Sequence, residues 1–350
     1  MSIVYHERPG VYSDVDASRI YASGIGAKVV GLVGLAEAER GLYTVTDSRS
    51  GVEAFGIQSQ LGRMLQLCYQ NGAGTVICSP VITDSEAGWR DAIELLVSEH
   101  KCAYICVGSD QQAVHTALKT AVEDASRQRG ECIGLIGMGD VDVSALIARA
   151  ESLNSERMVL LAPAVYLQGE EAVSGGCMAA AALAGVLSCQ TDPALPLNGQ
   201  VLTGIGGLTK LYSDTEIDAL VRGGVTPLEM VSGQCTVLRG ITTRTKTGEV
   251  QDLTWREVTT TMIIDEVIPA IRTSLRAKFV RSKNTAATRA AIRSQVVIAL
   301  EDRMAREIIE GYDTITVRPD TADPTVCVVE FGFTVAHGLN RIHLMAHISV

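Results

Sequence analysis

Apolar residues in this chain follow two rhythms. Five unbroken runs, KVVGLVGLA (28–36), GTVICSPVI (74–82), CAYICVG (102–108), CIGLIGM (132–138) and MVLLAPAV (158–165), are separated by amphipathic segments such as WRDAIELLVSEH and QAVHTALKTAVEDASRQ. A strand covered on both faces needs no polar side, so such runs alternating with helical patterns predict a parallel sheet between two helix layers. The last ten residues follow the other rhythm: Ile342, Leu344, Ala346, Ile348 and Val350 alternate with Arg341, His343, Met345, His347 and Ser349. Period two gives a strand with one apolar and one polar face, running to the end of the chain. Chain ends ordinarily fray, so a terminus patterned this fully calls for a sheet to join, and in a subunit-forming protein that sheet can belong to a neighbour.

Between these stretches, GGCMAAAALAGVLS (175–188) reads as a helix of small apolar residues suited to close packing, and LPLNGQVLTGIGGLTKL (195–211) is rich in turns. YSDTEIDALVRGG predicts a short helix, with Ser213 or Asp214 before it and Gly223 after it. SGQCTVLRGITTRT (232–245) predicts a strand, then a turn at Lys246 to Gly248. Two long helices follow, from about Thr254 to Phe279 and from about Ala286 to Ile309, the second capped by Thr285 and stopped by Gly311. Strands are expected at 312–318, 325–336 and 341–350, joined by PDTADP and HGLN. At the other end Ile3, Val4, Tyr5, Val11 and Tyr12 are β-formers broken into short pieces by Pro9 and Gly10, which reads as an extended arm. The expected organisation is α/β plus α+β: an arm at 1–22, an α/β domain at 23–195, an α+β domain at 196–340 and a strand arm at 341–350.

Composition narrows the class. The 350 residues are 47% hydrophobic but only 4% aromatic, so the core must be built from Val, Leu, Ile and Ala. No charge-free run approaches the roughly 18 apolar residues of a spanning helix, and MSIVYHERPG is no secretory leader, so the chain is expected to be soluble and to stay in the compartment that made it. Nine cysteines, an odd number without a CxxC pair, predict free thiols. The net charge of −10 lies wholly within the first 250 residues, whereas 272–306 carries nine basic residues against Glu301 and Asp302.

Several chemistries are weighed and set aside. GIGGLT (204–209) and GLVGLAEAERG (31–41) lack both the Lys-Ser/Thr of a Walker loop and the spacing of a dinucleotide fingerprint. His343 and His347 lie four apart on a strand, roughly 13 Å at about 3.3 Å per residue, too far to share one zinc. GGCMAAAALAG resembles the nucleophile helix of subtilisin-like proteases with Cys177 in the serine's place, which makes a thiol hydrolase the alternative function. A triad needs a base and an orienting acid, and YHER, SEHK and AVHT do not match that family's HGT, nor is there a DTG or DSG. On the second long helix Arg289, Arg293 and Arg303 fall within roughly 80° of arc at about 100° per residue. That helix has no aromatic residue for base stacking and the chain is acidic overall, so an acidic protein partner is preferred to nucleic acid.

PGVY near the start, ALAGVLSCQTDPALPLNGQVLTGIGGLTKLYSDTEIDALVRGGVTPLE in the middle and FVRSKNTAATRAAIRSQV…GYD before the last hairpin resemble the contractile tail sheath proteins of phages, R-type bacteriocins and related injection machines. The resemblance is strongest over 177–350. It implies a non-enzymatic structural subunit without cofactor or metal, stacked as hexameric rings around a tail tube and shortening to drive that tube through a cell envelope. It also implies a first domain of subtilisin-like shape without protease activity. Terminal arms, through Ile3, Val4, Tyr5, Val11, Tyr12, Ile342, Leu344, Ala346, Ile348 and Val350, would add strands to neighbouring subunits. Arg289, Arg293 and Arg303 are the residues placed against the tube. The implied partners are further copies of the chain, the tube protein, and baseplate and tail terminator proteins, with neither nucleic acid nor membrane. The implied location is a virion tail or injection particle assembled in the bacterial cytoplasm.

Overall fold

A computed structural model describes residues 28–99, 101–139, 141–340 and 344–345. The five apolar runs form strands, as period and length dictate. In chain order these and their neighbours are β1 (Val29–Leu35), β2 (Tyr43–Val45), α1 (Ser48–Phe55), α2 (Gln60–Gln70), β3 (Val76–Val81), α3 (Glu86–Ser98), β4 (Cys102–Val107), α4 (Gln112–Arg127), β5 (Ile133–Gly137), α5 (Val143–Leu153) and β6 (Met158–Ala162). The chain continues through β7 (Val165–Leu167), β8 (Val173–Gly175), α6 (Gly176–Cys189), β9 (Gln200–Val201), β10 (Ile205–Leu208), α7 (Asp214–Arg222), β11 (Val225–Val231) and β12 (Gln234–Val237). A single sheet runs in the order β2-β3-β1-β4-β5-β6-β11-β12-β9. Its middle, from β3 to β11, is parallel, and β2 at one end and β12 with β9 at the other pair antiparallel.

Helices cover both faces, and alternate side chains of each strand enter different cores. Val30, Leu32, Leu135 and Leu161 join α2 and α6 on one side. Val33, Ile136 and Leu160 join α3, α4, α5 and α7 on the other. Residues Gly176 through Ser188 of α6 are all buried, which explains the lack of an amphipathic pattern in that helix. Its start lies against the end of β5 so tightly that a Cβ on Gly137 would sit 2.1 Å from the Gly176 carbonyl, a contact only a bare backbone permits. The short helix α7 has the capping box read from its sequence: Ser213 accepts from the Glu216 amide while Glu216 accepts from the Ser213 amide.

The second domain expected to begin at residue 196 does not start there. Strands β9, β11 and β12, spanning 200–237, extend the α/β sheet, because β11 finds its parallel partner in β6. Only beyond them does the chain leave the sheet, through the hairpin of β13 (Lys246–Thr247) and β14 (Val250–Gln251), into α8 (Val258–Phe279) and α9 (Ala286–Ala305).

Helix α8 joins the two halves. Ile263, Val267 and Ile271 pack with Val296, Leu300 and Ile308 in a separate core. Polar positions on α8 grip the α/β layer instead. Arg239 pairs with Glu257, and Thr261 donates to the Glu156 carbonyl at 3.0 Å. Arg157 meets Asp265 with two prongs at 2.8 and 2.9 Å, and Arg272 donates to Glu131 at 2.6 Å. Projected at about 100° per residue, positions 257, 261, 265 and 272 span roughly 80° of arc, a single stripe.

Thr285 caps α9 as expected, accepting from the Thr288 amide. The expected stop at Gly311 is a correction. The helix ends at Ala305, Glu307 turns left-handed (φ 58°), and Gly311 lies in β15 (Ile309–Tyr312). Burial of Ile308 and Ile309 in the α8–α9 core turns the chain there. The expected strands 312–318 and 325–336 form a hairpin broken in the middle: β15 pairs with β18 (Phe333–Val335), and β16 (Thr316–Pro319) pairs with β17 (Cys327–Glu330). The Asp313 amide, donating to the Gly332 carbonyl at 2.9 Å, keeps the two ladders in one ribbon.

Candidate assembly surfaces

That ribbon is two strands wide wherever it is paired, so among the described residues both of its edges carry unpaired backbone groups. Helix α9 and Val317, Val329, Phe331 and Phe333 cover one face, leaving the edges as the open feature. From β18 the chain returns to the α/β layer, where the Asn198 amide donates to Asn340 Oδ1 at 2.6 Å. Beyond it, Leu344 lies outside regular structure and is 95% exposed. The other arm residues, Ile3, Val4, Tyr5, Val11, Tyr12, Ile342, Ala346, Ile348 and Val350, lie outside the described residues.

The three arginines of α9 differ in surroundings. Arg289 donates to the carbonyl and side-chain oxygens of Asn284 at 3.2 and 3.0 Å, and Arg293 donates to the Ile315 carbonyl at 3.1 Å. Arg303 is mostly buried, donating to Ala299 and bridging Asp302 and Glu266. It braces α9 against α8, so it does not share an open face with the other two. Sequence spacing could not show this, because Glu266 lies 37 positions away on another helix. Arg276, Arg281, Lys283 and Arg306, members of the basic segment 272–306, form no side-chain hydrogen bond or ion pair with the described residues.

A cleft opens at the carboxyl ends of β1, β4 and β5, where Gln60, Gly108–Gln111, Gly137, Ser174 and Gly175–Cys177 converge. Ligand clefts of open α/β sheets form at this position. The Cys177 thiol lies at its floor, and burial pushes its pKa up to about 12. Its polar neighbour is the Gln60 amide at 3.9 Å, which supplies no base. His115, the nearest thing to a candidate base in the sequence, uses both ring nitrogens elsewhere. One contacts the Ser109 carbonyl at 2.7 Å and the other accepts from Arg149 at 2.8 Å. Burial pushes the ring pKa down to about 4. The thiol hydrolase reading has no support in this geometry. All nine cysteines are free thiols. Among the described residues no group of three or more His, Cys, Asp or Glu is placed to hold a metal ion, and no helix is long and apolar enough to cross a membrane.

Open ribbon edges are the kind of surface through which the subunits of an assembly pair. Comparison with known proteins gives the same class. Residues 85–243 match the model of the phage tail sheath protein central domain, and residues 250–349 match that of the phage tail sheath C-terminal domain. Similar solved structures include a chain of the anti-feeding prophage baseplate, at TM-score 0.75 and 15% identity over 99% of this chain and 100% of that one. A chain of the contracted sheath of PVC, an extracellular contractile injection system, has TM-score 0.72 and 14% identity over 99% of each chain. The sheath tail protein of Desulfitobacterium hafniense has TM-score 0.68 and 12% identity over 93% of this chain and all of that one. No curated protein matches the sequence itself. The chain belongs to the phage tail sheath family.

Proposed function

We propose that this protein polymerises as stacked hexameric rings around a tail tube, and that the sheath shortens to drive the tube through a cell envelope. The particle would be a phage tail or a related injection machine assembled in the bacterial cytoplasm, with baseplate and terminator proteins at its ends. The observation that carries this reading is the two-stranded ribbon of 309–335, whose edges are unpaired among the described residues, in a chain whose positions 341–350 alternate as a donor strand would. Exchange of the arms at 1–22 and 341–350 would link every subunit to its neighbours while they move past one another. A heterologous contact of this kind does not close on itself and generates a helical filament. The α/β layer serves as a subtilisin-like scaffold in which the start of α6 has lost its chemistry. Arg289 and Arg293 of α9 are offered to the tube, whereas Arg303 serves Glu266.

Removing residues 341–350 tests the arms. The truncated chain should stay folded and soluble yet form no long tubes under negative stain, and tubes of parental length would overturn the strand-exchange reading. Arg293→Glu should weaken assembly on the tube and spare polymerisation without it. Unaltered assembly on the tube would remove Arg293 from the interface.

A further inference from the structure

The cleft above Cys177 continues into an apolar groove that the sheath reading leaves unused. The two share Leu35, Gln60 and Asp84, with volumes of about 250 and 750 Å³. Ile57 and Ile82, 52% and 64% exposed, form the mouth over the buried Phe55. Glu37, Asp84 and Asp110 line the joined surface, and among the described residues no Lys, Arg or His does. Asp84 is committed within the chain, accepting from Trp89 at 2.7 Å and Gln111 at 2.9 Å, whereas Glu37 and Asp110 have no side-chain hydrogen bond or ion pair with the described residues. An apolar mouth with acidic walls and, among the described residues, no cation other than Arg149 at the Asp110 carbonyl favours a segment that is both apolar and basic.

The same chain carries such a segment. The α8–α9 connection reads Val280-Arg281-Ser282-Lys283, with Val280 73% exposed and both cations free of side-chain partners among the described residues. It is held in place from behind: Asn284 Nδ2 donates to the Pro324 and Val326 carbonyls at 2.9 and 3.1 Å, and Arg289 grips Asn284 from α9. A loop fixed before contact loses little entropy on docking. We propose that Val280–Lys283 of one subunit inserts into this cleft of another copy, Val280 against Ile57 and Ile82, Arg281 and Lys283 against Glu37 and Asp110. The contact is heterologous, so it suits a helical array, and it rests on the sheath reading. It also places the −10 of the first 250 residues against the basic excess of 272–306.

Charge reversal on either side tests it with the full chain. Arg281→Glu/Lys283→Glu and, separately, Glu37→Lys/Asp110→Lys should each reduce self-association followed by light scattering by at least about tenfold, since like charges now face each other. Mixing the two variants, or joining all four changes in one chain, should restore association to within a few-fold of the parent. Glu37→Lys alone is the milder variant should Asp110→Lys disturb the fold, and unaltered thermal midpoints identify folded variants. Reversed variants that form tubes like the parent overturn the contact alone, as does failure of both the mixture and the fourfold variant to recover. Loss confined to assembly on the tube assigns the loop to the tube and overturns the contact. A parent that never polymerises overturns the sheath reading and this contact with it.

Discussion

The clasp between Arg157 and Asp265 provides the sharpest energetic test. Its two prongs at 2.8 and 2.9 Å join groups only 14% and 15% exposed, across 108 residues of sequence. Burial is the largest influence on the Asp265 carboxyl and raises its pKa, and the guanidinium works against it. Replacing Asp265 with Asn keeps the shape but leaves Arg157 buried without its counter-charge. Breaking a buried pair from one side costs about 3–5 kcal/mol, and since both groups retain slight solvent contact the low end applies, about 3 kcal/mol. Trp89, 1% exposed in the α/β core, reports unfolding of that layer, and urea titration of its fluorescence measures the change. The double change Arg157→Met/Asp265→Leu should recover the stability to within about 1 kcal/mol, because neither charge is then desolvated. The exposed pair Lys246–Glu151, at 49% and 47%, gives the contrast: Glu151→Gln should shift stability by less than about 0.5 kcal/mol. A cost below about 1 kcal/mol for Asp265→Asn would refute the reasoning, since it would mean water reaches the pair freely.

Other outcomes follow from the same geometry. His115 is fully buried with a folded pKa of about 4, below the roughly 6.5 of an unfolded histidine, so the unfolded chain takes up the proton first as pH falls. Its contribution should be intact above about pH 6.5 and decline toward pH 4 by up to about 1.4 kcal/mol per unit, a slope that His115→Gln should flatten in urea titrations at stepped pH. Gly137→Ala would drive a methyl into the Gly176 backbone and should lower stability by about 2 kcal/mol or more, visible as a lower thermal midpoint. Iodoacetamide at neutral pH should modify exposed Cys189 and leave Cys177 untouched, with mass mapping of the native protein as the readout.

Local chemistry accounts for what is legible in the sequence. The runs from Val29 to Ala162 declare buried strands because a strand covered on both faces needs no polar side, and Ser213 and Thr285 declare helix starts because their side chains satisfy amides three residues on. The tail hairpin was legible in position but not in its break at 313–315 or its irregular register between Ile309 and Gly311, neither of which leaves a mark on period two. The arginines of α9 illustrate the limit of helical projection: it ranked Arg303 with Arg289 and Arg293, and a single residue on α8 separated it from them.

By itself, then, the order of residues determined the type and rough extent of most elements, the free state expected of the thiols and a terminal segment patterned to pair. Tertiary structure alone decided that 200–237 would finish the α/β sheet, that α8 would be tied down by ion pairs to residues more than a hundred positions away, and that an acidic cleft would open above a silent thiol. The difference is physical. Periodicity and capping are settled within a few residues along the chain, whereas strand partners, ion pairs and clefts depend on which distant surfaces bury the most apolar area together, and no local pattern encodes that choice.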